Sequence, residues 1–192
     1  MNTGTVVLIV VFVIILFVWW LIVTYNSLVA LRNLCRNGWS QVDVQLKRRA
    51  DLIPNLVETV KGYAGHEKSV FTDVTRARSA VQQVSQGPSS LQDRADAESQ
   101  LTHAIANLYA VSERYPELKA DQNFLDLQNQ LKTLENQIAA ARQMYNDAVL
   151  KYNNKLQMFP SNIVAGIFHF TEESMFAASA QDREVPVVKF SN

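Results

Sequence analysis

The sequence predicts an all-α fold: an N-terminal transmembrane helix continuing into an elongated antiparallel helical bundle with coiled-coil-like packing, then a short C-terminal helix and an extended tail. Three observations carry that expectation. The chain has 192 residues, 48% hydrophobic and 19% charged, yet none of its eighteen basic and eighteen acidic side chains falls before residue 31, so an apolar head precedes an ordinary charged body. Downstream, apolar residues recur at alternating spacings of three and four, the period of a helix seam rather than of a strand. Only six glycines and five prolines occur, too few for the many turns of a sandwich or barrel.

The head is residues 6–23, VVLIVVFVIILFVWWLIV, preceded by a short external N-terminus over residues 1–5. Eighteen apolar residues at about 1.5 Å per residue span about 27 Å, close to the hydrocarbon thickness of a bilayer. A cleaved signal peptide fits less well, because no basic residue precedes the stretch and no small-x-small site follows it. Trp19, Trp20 and Tyr25 sit at its C-terminal end, where amphipathic rings favour the headgroup layer, so the spanning element is read as residues 6–25. Arg32 and Arg36 follow the segment and no Lys or Arg precedes it; the positive-inside rule therefore places the N-terminus outside and the body in the cytoplasm.

The body, residues 26–158, reads as three helices of about 26–86, 90–114 and 121–158. The first carries a seam of Leu28, Cys35, Trp39, Val42, Leu46, Ile53, Leu56, Val60 and Tyr63 that continues in phase through Val70, Val74, Ala77, Val81 and Val84. Gly62 and Gly65 suggest a turn, but the unbroken phase favours one long helix, with a break there as the alternative. Pro54 lacks the N–H that would bond the Ala50 carbonyl, so a kink or short interruption is expected near Arg49 to Ile53. Arg49 and Glu67 occupy seam positions where apolar residues belong; they are either exposed or paired. Gly87-Pro88-Ser89-Ser90 stops the first helix and offers a serine N-cap to the second, whose seam is Ala97, Leu101, Ala104, Leu108, Val111 and Tyr115. Tyr115 to Lys119 closes it, and Asp121 is placed to cap a third helix bearing the most regular heptad: Phe124, Leu127, Leu131, Leu134, Ile138, Ala141, Tyr145, Ala148 and Tyr152. Residues 159–192 hold a short helix with Ile163, Val164, Ile167 and Phe168, then a polar stretch and the extended Val185 to Phe190.

Chemistry is sparse. His66, His103 and His169 lie on different segments, and His66-Glu67 lacks the second histidine of a metalloprotease motif. No phosphate loop or nucleophile elbow occurs, and Cys35 reads as a small seam residue. No enzymatic activity, metal or cofactor is expected. Zero formal net charge argues against nucleic acid as a partner, since neutralising phosphates needs a basic excess. Lys47-Arg48-Arg49 would lie about 36 Å beyond Val23 on a straight helix, several times the ~8 Å Debye length, so it reads as a solvated face rather than a lipid contact.

The runs Tyr25 to Val29, Trp39 to Arg49 (WSQVDVQLKRR) and Asp51 to Tyr63 (DLIPNLVETVKGY) resemble the LemA family of bacterial membrane proteins. Later blocks agree: Ala77-Arg78, Tyr115 to Lys119, Asn123-Phe124, Ala141-Arg142, Tyr145-Asn146, Tyr152-Asn153 and Phe159-Pro160. The resemblance covers nearly the whole chain and implies one N-terminal transmembrane helix, a cytoplasmic antiparallel helical domain and no established activity. Proteins of bacterial magnetosome membranes are similar more distantly. Arg48, Arg49, Asp51, Asn55 and Glu58 are dense in matching residues, and positions 48, 51, 55 and 58 share one helical stripe suited to a charged subunit contact. Ile163, Ile167, Phe168 and Phe170 belong to a segment too short to be stable alone, which must dock on its own bundle, on a neighbouring subunit or on the bilayer. Together these features predict a single-pass protein of the bacterial inner membrane, a self-associating scaffold that organises the lipid membrane or membrane protein partners. The alternative is a regulatory adaptor whose cytoplasmic bundle binds a signalling kinase or membrane protease.

Overall fold

A computed structural model describes residues 2–87 and 89–176; the extended segment expected at Val185 to Phe190 lies outside them. Every regular element among these residues is a helix: α1 (Thr3–Tyr63), α2 (Lys68–Gln86), α3 (Leu91–Ser112), the single turn α4 (Pro116–Lys119), α5 (Gln122–Gln157) and α6 (Ser161–Ile167). Two compact units divide them. The first comprises residues 2–40 and 143–175, and the second residues 41–142 with Phe176.

In the second unit the expected single helix over 26–86 is corrected. α1 ends at Tyr63, and α2 begins at Lys68 after a tight reversal closed by Ala64 N–H to Val60 O (2.8 Å) and Glu67 N–H to Ala64 O (3.1 Å). The seam kept its phase because the reversal is itself in register: Val60, Ala64, Phe71 and Val74 are all buried, at separations that one continuous helix would also give. Periodicity reports which residues face inward but not the direction of the chain. Consequently four long segments, α1, α2, α3 and α5, together with the single turn α4, build this unit instead of three helices. Tyr63 bonds Asp121 and Arg49 pairs with Glu135, so α1 and α5 run antiparallel here; Arg78 reaches Ala50, which sets α2 antiparallel to α1. One hydrophobic cluster joins all of them, with Ile53, Leu56, Val60, Val74, Leu101, Leu108, Leu118, Phe124 and Leu131 at its centre.

Capping sets the element boundaries. Ser90 forms a capping box with Asp93: its hydroxyl accepts from Asp93 N–H (3.0 Å), while the Asp93 carboxylate accepts from Ser90 N–H (3.0 Å). The Ser90 hydroxyl is also within donating distance of that carboxylate (2.7 Å), and this bond, followed by the one from Ser90 N–H, holds the Asp93 carboxyl below its ordinary value. Asp121 Oδ1 accepts from Phe124 N–H (2.9 Å), starting α5. α1 runs through Pro54 as one helix, so of the kink or short interruption expected near Arg49 to Ile53 the interruption does not occur. The Ala50 carbonyl that Pro54 cannot bond instead accepts from Arg78 Nε at 2.9 Å.

In the first unit α1 and α5 approach closely at Gly38, where an added Cβ would lie 3.2 Å from Tyr145 Cα. The Trp39 and Tyr145 rings meet edge to face, with centroids 5.6 Å apart. Residues 171–175 lie along α5: Tyr145 OH donates to Ser174 O (2.8 Å), and the Asn153 amide both donates to Glu173 O (2.8 Å) and accepts from Glu173 N–H (3.1 Å). α6 closes with the paired bonds of a Schellman motif, Phe170 N–H to Ala165 O (3.0 Å) and His169 N–H to Gly166 O (3.3 Å), with His169 in the left-handed region at φ 54°.

Candidate interaction surfaces

Arg49, a candidate for subunit or partner contact and one of the two charged seam residues expected to be either exposed or paired, is paired inside the second unit and not available for contact. It is 1% exposed, and its guanidinium pairs with the buried Glu98 of α3 and with Glu135 of α5 (2.5 Å) while donating to Thr102 Oγ1 (3.2 Å). The correction has a simple cause. A seam position faces the core, and a charge there must bring its counter-charge with it. Glu67, the other charged seam residue, pairs with Arg114 at 2.9 Å. Sequence reasoning missed Glu98, although Glu98, Ile105 and Ser112 form a buried row on α3 at a seven-residue period, where a carboxylate needs a cation.

Arg48, Asp51, Asn55 and Glu58 are exposed. Glu58 pairs with Lys61 (2.8 Å), whereas Arg48 and Asp51 have no ion pair or hydrogen bond among the described residues. Both line an open groove between α1 and α5 of about 570 Å³ whose other walls are Leu52, Asn129, Gln130, Thr133, Leu134 and Gln137. Two unpaired opposite charges thus flank a mixed leucine and amide surface. The α5 side of this groove escaped the sequence reading, which placed Leu134 in the seam and left the amide residues unassigned.

In the first unit, residues 6–23 are exposed on almost every side, and the first buried residue is Thr24. This is a helix long and apolar enough to cross a membrane. Trp19 is exposed and Trp20 half-buried. Tyr25 packs at a tilt against Phe168 (4.8 Å between centroids) and edge-on against Phe170 (5.7 Å), and the Arg32 guanidinium lies 5.0 Å above the Phe170 ring. Arg36 is exposed. The apolar residues of α6 divide between two faces. Ser161, Val164 and Ala165 point inward, while Ile163, Ile167 and Phe168 are exposed.

Acid–base candidates are few. Burial, reinforced by Glu135, pushes the Tyr109 hydroxyl up to about 12, and burial with Glu173 pushes Tyr145 to about 12, so both stay protonated near neutrality. Cys35 is a buried free thiol, raised above its ordinary value by burial and then by Glu173. No group of three His, Cys, Asp or Glu side chains converges as a metal site among the described residues.

Comparison with known proteins extends the picture. Protein LemA of Metamycoplasma hominis is 25% identical over 158 residues, covering 82% of this chain and 71% of its own. Magnetosome protein MamQ 2 of Paramagnetospirillum magneticum is 26% identical over 178 residues, covering 81% of this chain. Magnetosome protein MamQ of Magnetospirillum gryphiswaldense is 24% identical over 182 residues, covering 83%. The chain spans 65% and 67% of the length of these two magnetosome relatives. The profile of the LemA family matches residues 38–190, from just after Arg36 through the whole second unit and beyond α6, and the chain belongs to that family.

Proposed function

We propose that this protein is a single-pass inner-membrane scaffold, oriented with its N-terminus outside and its helical body in the cytoplasm, that self-associates and organises the membrane or its protein partners. One observation carries the self-association: Arg48 and Asp51 stand unpaired on the rim of the α1–α5 groove, one helical turn apart. Two copies meeting there pair Arg48 of each with Asp51 of the other, and the leucine-lined surface between them is covered in the same step. Membership of the LemA family and similarity to magnetosome proteins support a role at a membrane. The role is structural rather than catalytic.

The test is the mass of the full-length protein in nanodiscs by native mass spectrometry. A discrete homo-oligomer is expected; Arg48→Asp and Asp51→Arg each dissociate it, and the double exchange restores it in part. A monomer that none of these variants alters defeats the scaffold reading and leaves an adaptor for a signalling kinase or membrane protease as the better account.

A further inference from the structure

Resting on the assignment of residues 6–23 as a membrane span, we propose that the outward face of α6 is a second membrane-contacting surface, lying at the boundary between headgroups and acyl chains of the same bilayer. The argument starts from where burial begins. The apolar run is exposed except at the half-buried Trp20 and Leu21, and the first fully buried residue of α1 is Thr24, so the bilayer surface falls at about Val23. Tyr25 is two residues further, about 3 Å along the helix axis. Its ring packs against Phe168 at a tilt and against Phe170 edge-on, which brings the end of α6 to that same depth.

At that depth α6 has two faces. Ser161, Val164 and Ala165 hold it to the first unit, and the Schellman closure turns Phe170 back beneath Arg32. The opposite face presents Ile163, Ile167 and Phe168, 50%, 59% and 51% exposed, beside Met158 and Phe159 at 61% and 79%. Five large apolar side chains on one short stretch form a patch that an aqueous surface does not favour. A lipid surface explains both the patch and its setting: aromatic and aliphatic side chains enter the acyl boundary beside the end of the span. The chain then grips the bilayer at two points, the span and α6, and the second restricts rotation and tilt of the first.

The experiment uses the full-length protein in nanodiscs with Cys35→Ala and single cysteines carrying an environment-sensitive fluorophore at Ile167, at Ile22 within the span and at Met144. Met144 is exposed and adjoins Tyr145, which packs on Trp39, about 24 Å beyond Val23. Nitroxide-labelled lipids are expected to quench the probe at Ile167, most strongly when the nitroxide sits near the headgroup. They quench Ile22 from deeper positions and leave Met144 bright. An unquenched probe at Ile167 beside a quenched Ile22 overturns the proposal while sparing the span, and crosslinking between copies through Ile167 under those conditions identifies a second copy as the cover. Loss of quenching at both positions overturns the span assignment and this inference together. As a second arm, Ile163→Asp with Ile167→Asp keeps the helical circular dichroism signal, since both positions are exposed, and abolishes quenching of a probe at Phe159; quenching that persists in this variant also overturns the proposal.

Discussion

The two units treat misplaced chemistry in opposite ways. The second takes polar groups into its interior and satisfies them there: Arg49 finds Glu98, Glu135 and Thr102, and the carbonyl orphaned by Pro54 finds Arg78. The first leaves apolar groups outside, with residues 6–23 and the outer face of α6 bare. A buried charge with its partners belongs to the protein's own architecture, whereas a bare apolar face needs something beyond the chain. Contacts with other molecules are therefore best sought on the outer face of the first unit and on the unpaired rim of the second, not at the most polar residues of the core.

The largest test of this contrast is Arg49. Removing the guanidinium by Arg49→Met leaves Glu98 ionised among apolar neighbours, and truncating one partner of a buried pair costs about 3–5 kcal/mol. Thermal denaturation followed by circular dichroism in one detergent should show that loss. Arg49→Met combined with Glu98→Leu should recover most of it, because the second change removes the stranded charge. If the single variant melts like the parent, the ion pair is not what holds α1 to α3.

A smaller effect is expected at Ala50. Arg78→Met leaves that carbonyl without a donor, and a hydrogen bond from a charged group contributes about 1.5–3 kcal/mol. Pro54→Ala restores a backbone N–H four residues on. It should therefore rescue the Arg78→Met variant while changing the parent little, and a double-mutant cycle reads that coupling directly. Additive effects would mean that Arg78 stabilises the unit through its aliphatic stem instead.

What the sequence made legible follows from what periodicity encodes. The α5 seam was read nearly residue for residue, since Phe124, Leu131, Leu134, Ile138, Ala141, Tyr145, Ala148 and Tyr152 are all buried and a long regular heptad leaves one face to bury. The reversal at Ala64 to Glu67 was hidden because it preserves that same spacing; Gly62 and Gly65 were its local trace. Arg49 stood out as a seam anomaly, but its partners lie 49 to 86 positions away, and no local pattern links them. The groove suffered likewise. Its stripe on α1 is a helical spacing and could be read, whereas its α5 wall depends on which face of a second helix turns toward the first. α6 was recognised as apolar, yet seven residues are too few for periodicity to separate an inner from an outer face.

The finest test concerns the exposed pair at the start of α5, where the second unit satisfies a charge in contact with water. Asp121 accepts from Phe124 N–H and from Tyr63 OH (2.9 Å), and both bonds hold its carboxyl below the ordinary carboxylate value. Between the lowered value and the ordinary one the unfolded chain therefore binds more protons at this site than the folded one, so the contribution of Asp121 is present above the ordinary carboxylate value and is lost as pH falls through the lowered one. Tyr63 titrates in the opposite sense. Its hydroxyl donates to the carboxylate and is raised above its ordinary value, so its contribution is complete below about pH 10 and disappears as pH climbs through the raised value. Tyr63→Phe should remove this pair's share of the alkaline loss, leaving that of Tyr109 and Tyr145, and part of the acid loss, since the Phe124 bond remains to Asp121. Asp121→Asn should remove the acid loss and return Tyr63 toward its ordinary titration, visible in the tyrosinate absorbance. Because both groups are exposed, these shifts should be the smallest of the three effects, and an unchanged tyrosinate titration in Asp121→Asn would show that water competes successfully for the Tyr63 hydroxyl.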